Sequence, residues 1–248
     1  MQSDFNDDGS VRATAPVRDT VCQPGTDVVR TSVLATWADV VTGMVCSHAI
    51  LPRIPVTLDL ETQVVRPARA GTILDVISRP VKLGRTVAVS DAQFFDSATG
   101  ELVASSLATF VASPDPSHVM PEGFPRSIPA RTALAVPLAE RVQRTIVEPG
   151  VVEMPRLHDG QNATGAIQGG LLAFAAEEAA TSLIDEPAIL SMLNIRYFRP
   201  FAIGPARATA TLHGRVCKVE MVDAGTGKTG AVVTGRWAPL SGAELGGS

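Results

Sequence analysis

The sequence is short of several things at once, and each shortage excludes a class of function. It has no basic surplus: 21 Lys and Arg stand against 25 Asp and Glu, a formal net charge of −4. That argues against a nucleic-acid partner, whose phosphates need a basic face. Cysteine is scarce. Cys22, Cys46 and Cys217 are odd in number, widely spaced and without a CxxC pair, so unpaired thiols in a reducing cytoplasm are expected rather than a disulfide framework or zinc site. The four histidines, His48, His118, His158 and His213, show no ligand spacing, and no catalytic metal is expected. No Gly-x-Ser-x-Gly motif accompanies His158, so that histidine has no nucleophile to serve. No unbroken apolar run reaches the ~18 residues of a membrane span. The start, MQSDFNDDGS, is acidic and polar, the reverse of a signal peptide. A soluble, cytoplasmic protein with no membrane or nucleic-acid partner is expected.

What is present is core and repetition. Hydrophobic residues make up 45% of 248 residues, enough for one large domain or two of ordinary size. A search for internal similarity favours two. The segment from Arg30 to Asp39 aligns with that from Gln168 to Glu177, with Leu34/Leu172, Ala35/Ala173 and Ala38/Ala176 identical and an acid closing both. Further along, Arg66-Pro67 with Gly71 matches Arg199-Pro200 with Gly204, and Gly84-Arg85 matches Gly214-Arg215. Asp96 with Thr99-Gly100 matches Asp223 with Thr226-Gly227. The offset between copies shrinks from 138 through 133 and 130 to 127, as it does when two related units differ by loop deletions.

Each copy reads alike. Val33, Trp37, Val41 and Val45 recur every four residues, and Leu34 and Ala38 widen the stripe; this is a buried helix. Runs rich in β-branched residues follow at 56–65, 72–77, 86–95 and 102–111, and again at 190–198, 206–212, 216–222 and 231–237. The breaks are turn-like: Arg66-Pro67, the stretch from Lys82 to Arg85, and that from Asp96 to Gly100. One long helix wrapped by an antiparallel meander is an α+β architecture. The expected organisation is a first domain at 11–112, an extended proline-rich linker at 113–128 and a second domain at 129–240. Residues 1–10 and 241–248 are expected to be disordered.

The second copy carries Asn162, Gly165, Gln168-Gly169-Gly170 and then Glu177. This pattern resembles that of hotdog-fold acyl-CoA thioesterases of the phenylacetyl-CoA type: Asn, two residues, Gly, two residues, His-Gly-Gly, and an acid nine residues past the His. The Arg-Pro pairs and the glycine turns beside Lys82, Arg85 and Arg215 are similar too. The resemblance implies two tandem hotdog domains packed as an intrachain pseudo-dimer and the hydrolysis of acyl-CoA to acid and CoA, without a cofactor beyond the CoA of the substrate. Lys82, Arg85 and Arg215 are then expected at the CoA phosphates, and Gln168 and Gly170 at the substrate. Gln168 stands where the family has His. In the first copy Pro24 and Asp27 fall at the Asn and Gly positions, and Arg30-Thr31-Ser32 replaces His-Gly-Gly.

Physical chemistry says what such residues would do. The free N–H groups at a helix start bind an anion, and Gly169 and Gly170 let a carbonyl oxygen approach them. The Asn162 amide would add a donor. Glu177, eight residues past Gly169, lies ~12 Å along the axis, too far to serve its own helix start. Two antiparallel helices must therefore share two composite sites. One pairs Asn162 and Gly169 with Asp39; the other pairs Glu177 with the glycine-free Arg30-Thr31-Ser32. Thr57, ten residues before Pro67, has Leu190 as its counterpart before Pro200, so the hydroxyl sits with Asp39. A single site of Asn162, Gly169, Asp39 and Thr57 is expected to work, with Glu177 a second acid of lesser effect.

Plain alternatives exist for each residue. Asp39 and Glu177 are also what a solvated helix face carries, Thr57 is a good strand residue, and Lys82, Arg85 and Arg215 suit any exposed turn. Two rival functions stand beside it: a non-catalytic acyl-CoA binder, and an acyl-CoA dehydratase, against which counts the lack of a histidine in the motif segments 30–39 and 168–177. Homodimers of such double units are compatible with the sequence.

Overall fold

The computed structural model describes residues 1–120, 127–129 and 132–240. Its architecture follows from two long helices that are apolar over much of their surface and so need cover. Helix α1 (Thr31–Ile50) carries Leu34, Ala35, Ala38 and Val41, all fully buried. By length and composition α1 could cross a membrane, a property that a count of unbroken apolar residues misses because Ser, Thr and Asp39 interrupt it. Here it lies in the core. Helix α3 (Gly169–Thr181) buries a continuous stretch from Leu172 to Ala180.

The cover is one antiparallel sheet of thirteen strands. In the first half these are β1 (Gln2–Phe5), β2 (Val11–Pro16), β3 (Pro55–Val64), β4 (Ile73–Leu83), β5 (Val87–Asp96) and β6 (Leu102–Ala112). After β7 (Ser127–Ile128) and a short helix α2 (Leu138–Arg141) come β8 (Thr145–Glu148), β9 (Val151–Met154), β10 (Ala188–Tyr197), β11 (Ala206–His213), β12 (Val216–Asp223) and β13 (Lys228–Pro239). The order is β7-β1-β2-β4-β5-β6-β3-β10-β13-β12-β11-β9-β8. Reading outward from the centre, β3-β6-β5-β4-β2 mirrors β10-β13-β12-β11-β9. Alternation along β5 (Ala88, Ser90, Ala92 and Phe94 buried) and along β12 (Cys217, Val219, Met221) turns one face of each strand to the helices.

The halves join through β3 and β10, whose register pairs Met192 with Gln63 and Arg196 with Asp59. Exchanging the two copies maps one of these pairs onto the other, as a two-fold-related contact requires. Both central strands carry an irregularity at the same place, between Thr57 and Asp59 and between Leu190 and Met192. Such a bulge bends a strand and re-aims its side chains.

The helices run antiparallel. The start of α3 lies against the middle of α1, since a Cβ added to Gly170 would stand 2.7 Å from Thr36 Cβ. The start of α1 lies against the middle of α3, where Thr31 and Ser32 bond to Glu177. Gly170 is thus the point of closest approach between the helices.

Several expectations need correction. Residues 2–5 are not disordered: β1 pairs with β2 and β7, which gives their backbone a ladder. The segment after β6 is not a free extended linker. Met120 N–H donates to Pro52, and Arg53 pairs with Val119, so it is tied to the first half. Residues 121–126 of that segment and the 241–248 tail lie outside the described residues. Lys82 is on strand β4 rather than in the turn. The three cysteines are free and buried.

The helix contact gives the first prediction. Gly170→Ala forces a methyl against the Thr36 Cβ and is expected to lower stability by about 1–3 kcal/mol. Urea denaturation measures this, and an unchanged midpoint would contradict the close crossing.

Candidate functional site

The two helix starts are related by the repeat, and their surroundings differ. At the start of α1, the Thr31 and Ser32 N–H groups donate to Glu177 Oε1 at 3.0 Å and Oε2 at 3.1 Å. Ser32 Oγ donates to Oε2 and Gln23 Nε2 to Oε1 at 3.0 Å. Glu177, Thr31 and Leu190 have no exposure at all, and Ser32 has 1%. Burial pushes the Glu177 pKa up; the Arg30 charge and the bonds from Ser32 and Thr31 oppose that shift. Beside it, Arg30 makes a buried ion pair with Glu178, which Arg144 also contacts, and its guanidinium lies 4.9 Å from the Phe174 ring centre. This helix start is full.

At the start of α3 the counterparts are Gly169 and Gly170, and neither N–H has a partner among the described residues. Opposite stands Asp39, the counterpart of Glu177 and one methylene shorter. Asp39 Oδ1 accepts a 2.8 Å hydrogen bond from Thr57 Oγ1. Asp39 retains some accessible surface, yet the packing around it is dense enough that burial raises its pKa from 3.8 to about 6, the Thr57 bond working the other way. Tyr197, the chain's one tyrosine, closes the group. Its hydroxyl donates to the Gly169 carbonyl at 3.0 Å. Burial raises the phenol pKa well above 10, with the charges of Asp39 and then Asp59 adding to it. A Cβ on Gly169 would stand 2.9 Å from that hydroxyl, which explains glycine there. Asp39, Thr57, Tyr197 and Gly169 all keep partial exposure. This helix start is open.

The chemistry available is specific. Two unpaired N–H donors at the positive end of a helix can hold an oxyanion. A carboxylate with a pKa of about 6, its second oxygen without a recorded partner, can take a proton from water near neutral pH. The site spans both halves: Asp39 and Thr57 come from α1 and β3, Gly169 and Tyr197 from α3 and β10.

The other residues named from sequence fall as follows. Asn162 is exposed, and its Oδ1 accepts from Thr164 N, Thr164 Oγ1 and Ala166 N. The oxygen therefore shapes the loop, and the amide N–H groups have no recorded partner. Its counterpart is Gln23 rather than Pro24, because Gln23 and Asn162 both close their loops by backbone bonds, to Val28 and Ala166. Gln168 forms the residue before α3 and makes no recorded side-chain bond. Lys82 and Arg85 are exposed at the β4–β5 hairpin. The ladder from Ala88 through Phe110 to Thr57 puts that hairpin at the open site's end of the sheet.

Two of the named residues lie away from the open helix start. The Glu177 carboxylate takes up the N–H groups of Thr31 and Ser32 at the start of α1. Arg215 stands over Trp237 at 5.9 Å, and Trp237 pairs with Leu190, which puts Arg215 beside the closed half. Tyr197 was missed from sequence; its place two residues before Arg199-Pro200 is the only signal.

Residues 28–103 match the family model of the Thioesterase superfamily. No curated protein matches the chain by sequence. Solved structures share the fold over nearly the full length. The 12:0-ACP thioesterase from Umbellularia californica superposes with a TM-score of 0.67 at 14% identity, covering 93% of this chain and 98% of that one. An acyl-ACP thioesterase from Bacteroides thetaiotaomicron gives 0.67 at 8% identity, with coverages of 93% and 98%. The tesB protein of Mycobacterium avium subs paratuberculosis gives 0.59 at 13%, with 92% of each chain covered.

The raised pKa of Asp39 has a consequence for stability. The folded chain holds that proton more tightly than the unfolded chain, so stability falls as pH rises from about 4 through about 6. Asp39→Asn has no charge to desolvate. It should be more stable than the wild type at pH 7, by on the order of 2–3 kcal/mol, with the gap closing below about pH 4. Denaturant titrations at the two pH values measure the difference. A gap that is independent of pH would contradict the assignment.

Proposed function

We propose that this hotdog-fold protein of the thioesterase superfamily hydrolyses an acyl-CoA thioester to the free acid and CoA at one composite site. The observation that carries the reading is the contrast between the two helix starts. One has its N–H groups saturated by Glu177; the other leaves Gly169 and Gly170 unpaired opposite a carboxylate that burial has made a better base.

The thioester carbonyl oxygen would sit on the Gly169 and Gly170 N–H groups, with the Asn162 amide as a further donor. Thr57 holds one Asp39 oxygen, leaving the other to orient a water toward the carbonyl carbon. Asp39 takes a proton from that water as the C–O bond forms, and the developing oxyanion is stabilised by the helix start. Removing one donor of this kind typically costs about 3–4 kcal/mol of transition-state stabilisation. Collapse then breaks the C–S bond, and the proton held by Asp39 passes to the departing thiolate. Water supplies the oxygen of the acid and the hydrogen of CoA-SH. Tyr197 fixes the Gly169 carbonyl and with it the direction of the neighbouring donors. Lys82 and Arg85, exposed at the near hairpin, would meet the phosphates of CoA.

Acyl carrier protein is the other carrier to test, since two solved neighbours are named for it. A matched pair of substrates, decanoyl-CoA and decanoyl carrier protein, compares them; faster turnover of the carrier protein would reassign the donor while leaving the chemistry.

Asp39→Asn is expected to reduce kcat about 10²–10⁴-fold, whereas Glu177→Gln should leave kcat nearly unchanged and lose stability, because the amide has one acceptor oxygen and turns its NH2 toward the donors either of Ser32 or of Thr31 and Gln23. The rate should rise with pH through about 6. Thr57→Val should move that limb to higher pH, since the lost hydroxyl favoured the charged form. Replacing Lys82 and Arg85 with Ala should raise KM and spare kcat. Steady-state kinetics over a pH series reads all four. Loss confined to Glu177→Gln would overturn the site, and an inactive wild type against every acyl-CoA and acyl carrier protein would leave an acyl binder.

A further inference from the structure

A cavity of about 450 Å³ lies on the outer side of the helix pair and is not used by the chemistry above. At its foot are Gly170 and Thr36, the two residues of the helix crossing. Most of its lining is apolar: Val33 and Trp37 from α1, Leu171 and Phe174 from α3, Leu134 before α2 and Leu138 at its start. Among the described residues Arg18 is the only charged side chain along it, and Gln2, Thr14, Thr20 and Thr132 add polar groups. Trp37, Leu171 and Leu138 are half-buried and pack against the core, so they line the space with apolar surface.

We infer that this cavity takes the acyl chain of the substrate, and that the chain is a medium-length aliphatic one. The inference rests on the hydrolytic reading for the position of the thioester and adds the substrate class. Gly170 is shared: it offers one of the unpaired N–H groups to the carbonyl and forms the inner end of the cavity. An acyl chain leaving a carbonyl held there enters apolar walls at once. The nucleotide end of CoA is polar and carries several phosphate charges, whereas most of this lining is apolar, with Arg18 and the Met1 N-terminus as its positive groups among the described residues. The volume bounds the buried length. At ~30 Å³ per methylene, about the share a water takes in the liquid, the space would be filled by roughly fifteen carbons packed without gaps. A chain that keeps van der Waals clearance is shorter, near ten. Burying the chain against aromatic and branched side chains would supply the binding free energy at ~0.8 kcal/mol per methylene, which makes affinity depend on length up to the point where the cavity is full.

The chain has two tryptophans, and one lines the cavity. Trp237 packs at the far hairpin, its indole N–H on the Gly214 carbonyl. Trp237→Phe therefore leaves Trp37 as the only indole and makes its emission a report on this space alone. Butanoate, decanoate and hexadecanoate are the probes, and hydrolysis of decanoyl-CoA is measured separately on the same protein. Decanoate is expected to change Trp37 emission saturably, and butanoate to do so far more weakly. Adding Leu138→Phe, which takes up part of the volume, should weaken decanoate about tenfold, the effect of one or two misplaced methylenes, and shift the preferred acyl-CoA to a shorter chain. Hydrolysis of decanoyl-CoA with no Trp37 response to any chain would overturn the cavity assignment and leave the thioesterase reading standing. A saturable Trp37 response without hydrolysis would keep the cavity and remove the hydrolytic reading. Equal affinity for butanoate and hexadecanoate would overturn the length assignment.

Discussion

A helix start buried in a protein core needs its N–H groups satisfied, and the interior is arranged around two helix starts of which one meets that need from within the chain and the other does not. The two helices lie antiparallel, so the middle of each faces the start of the other. At one crossing a glutamate reaches over and closes the donors with both carboxylate oxygens. At the other the facing residue is an aspartate, which is instead held back by Thr57. The donors of Gly169 and Gly170 stay free. One methylene separates a structural anchor from a site.

The closed half shows what such an anchor needs. Glu177 would be costly to bury alone, and it is surrounded by donors from Thr31, Ser32 and Gln23, with the Arg30–Glu178 ion pair beside it. The open half keeps the backbone donors but lacks the hydroxyls and the ion pair. Gly169 and Gly170 carry no hydroxyls, Gln168 stands in place of Arg30, and Val40 in place of Glu178. The carboxylate there is left with a raised pKa and partial exposure, and the half that gives up internal pairing is the one to which the proposed reaction is assigned.

Much of the fold was legible because the signals are dense. Eight of the strands lie within a few residues of the β-branched runs, and the repeat is written in matched glycine turns and Arg-Pro pairs. The strands that were missed are β1, β2, β7, β8 and β9, which are short; β1 and β7–β9 also lie at or next to the sheet's two edges, where hydrogen bonding to a neighbour rather than sequence pattern decides strand from coil. The helix-length argument correctly brought Glu177 to Thr31 and Ser32 and Asp39 to the Gly169 end. It could not tell that Glu177 fills its site, because reach across a helix interface depends on packing to within a methylene. Sequence alignment puts Pro24 opposite Asn162 where the structure puts Gln23, because the two loops differ in length by a residue. Tyr197 gave no motif: its role comes from β10 crossing to the start of α3, a tertiary fact.

The central claim is that carboxylate reach, and not carboxylate identity, decides which helix start is open. The direct test is kcat for Asp39→Glu, at a pH where the carboxylate is ionised. This substitution keeps the acid and adds only the methylene that its counterpart has. The longer side chain should close onto the Gly169 and Gly170 donors as Glu177 closes onto Thr31 and Ser32, so kcat should fall by about 10² or more although the charge is retained. A variant with kcat close to the wild type would contradict the account.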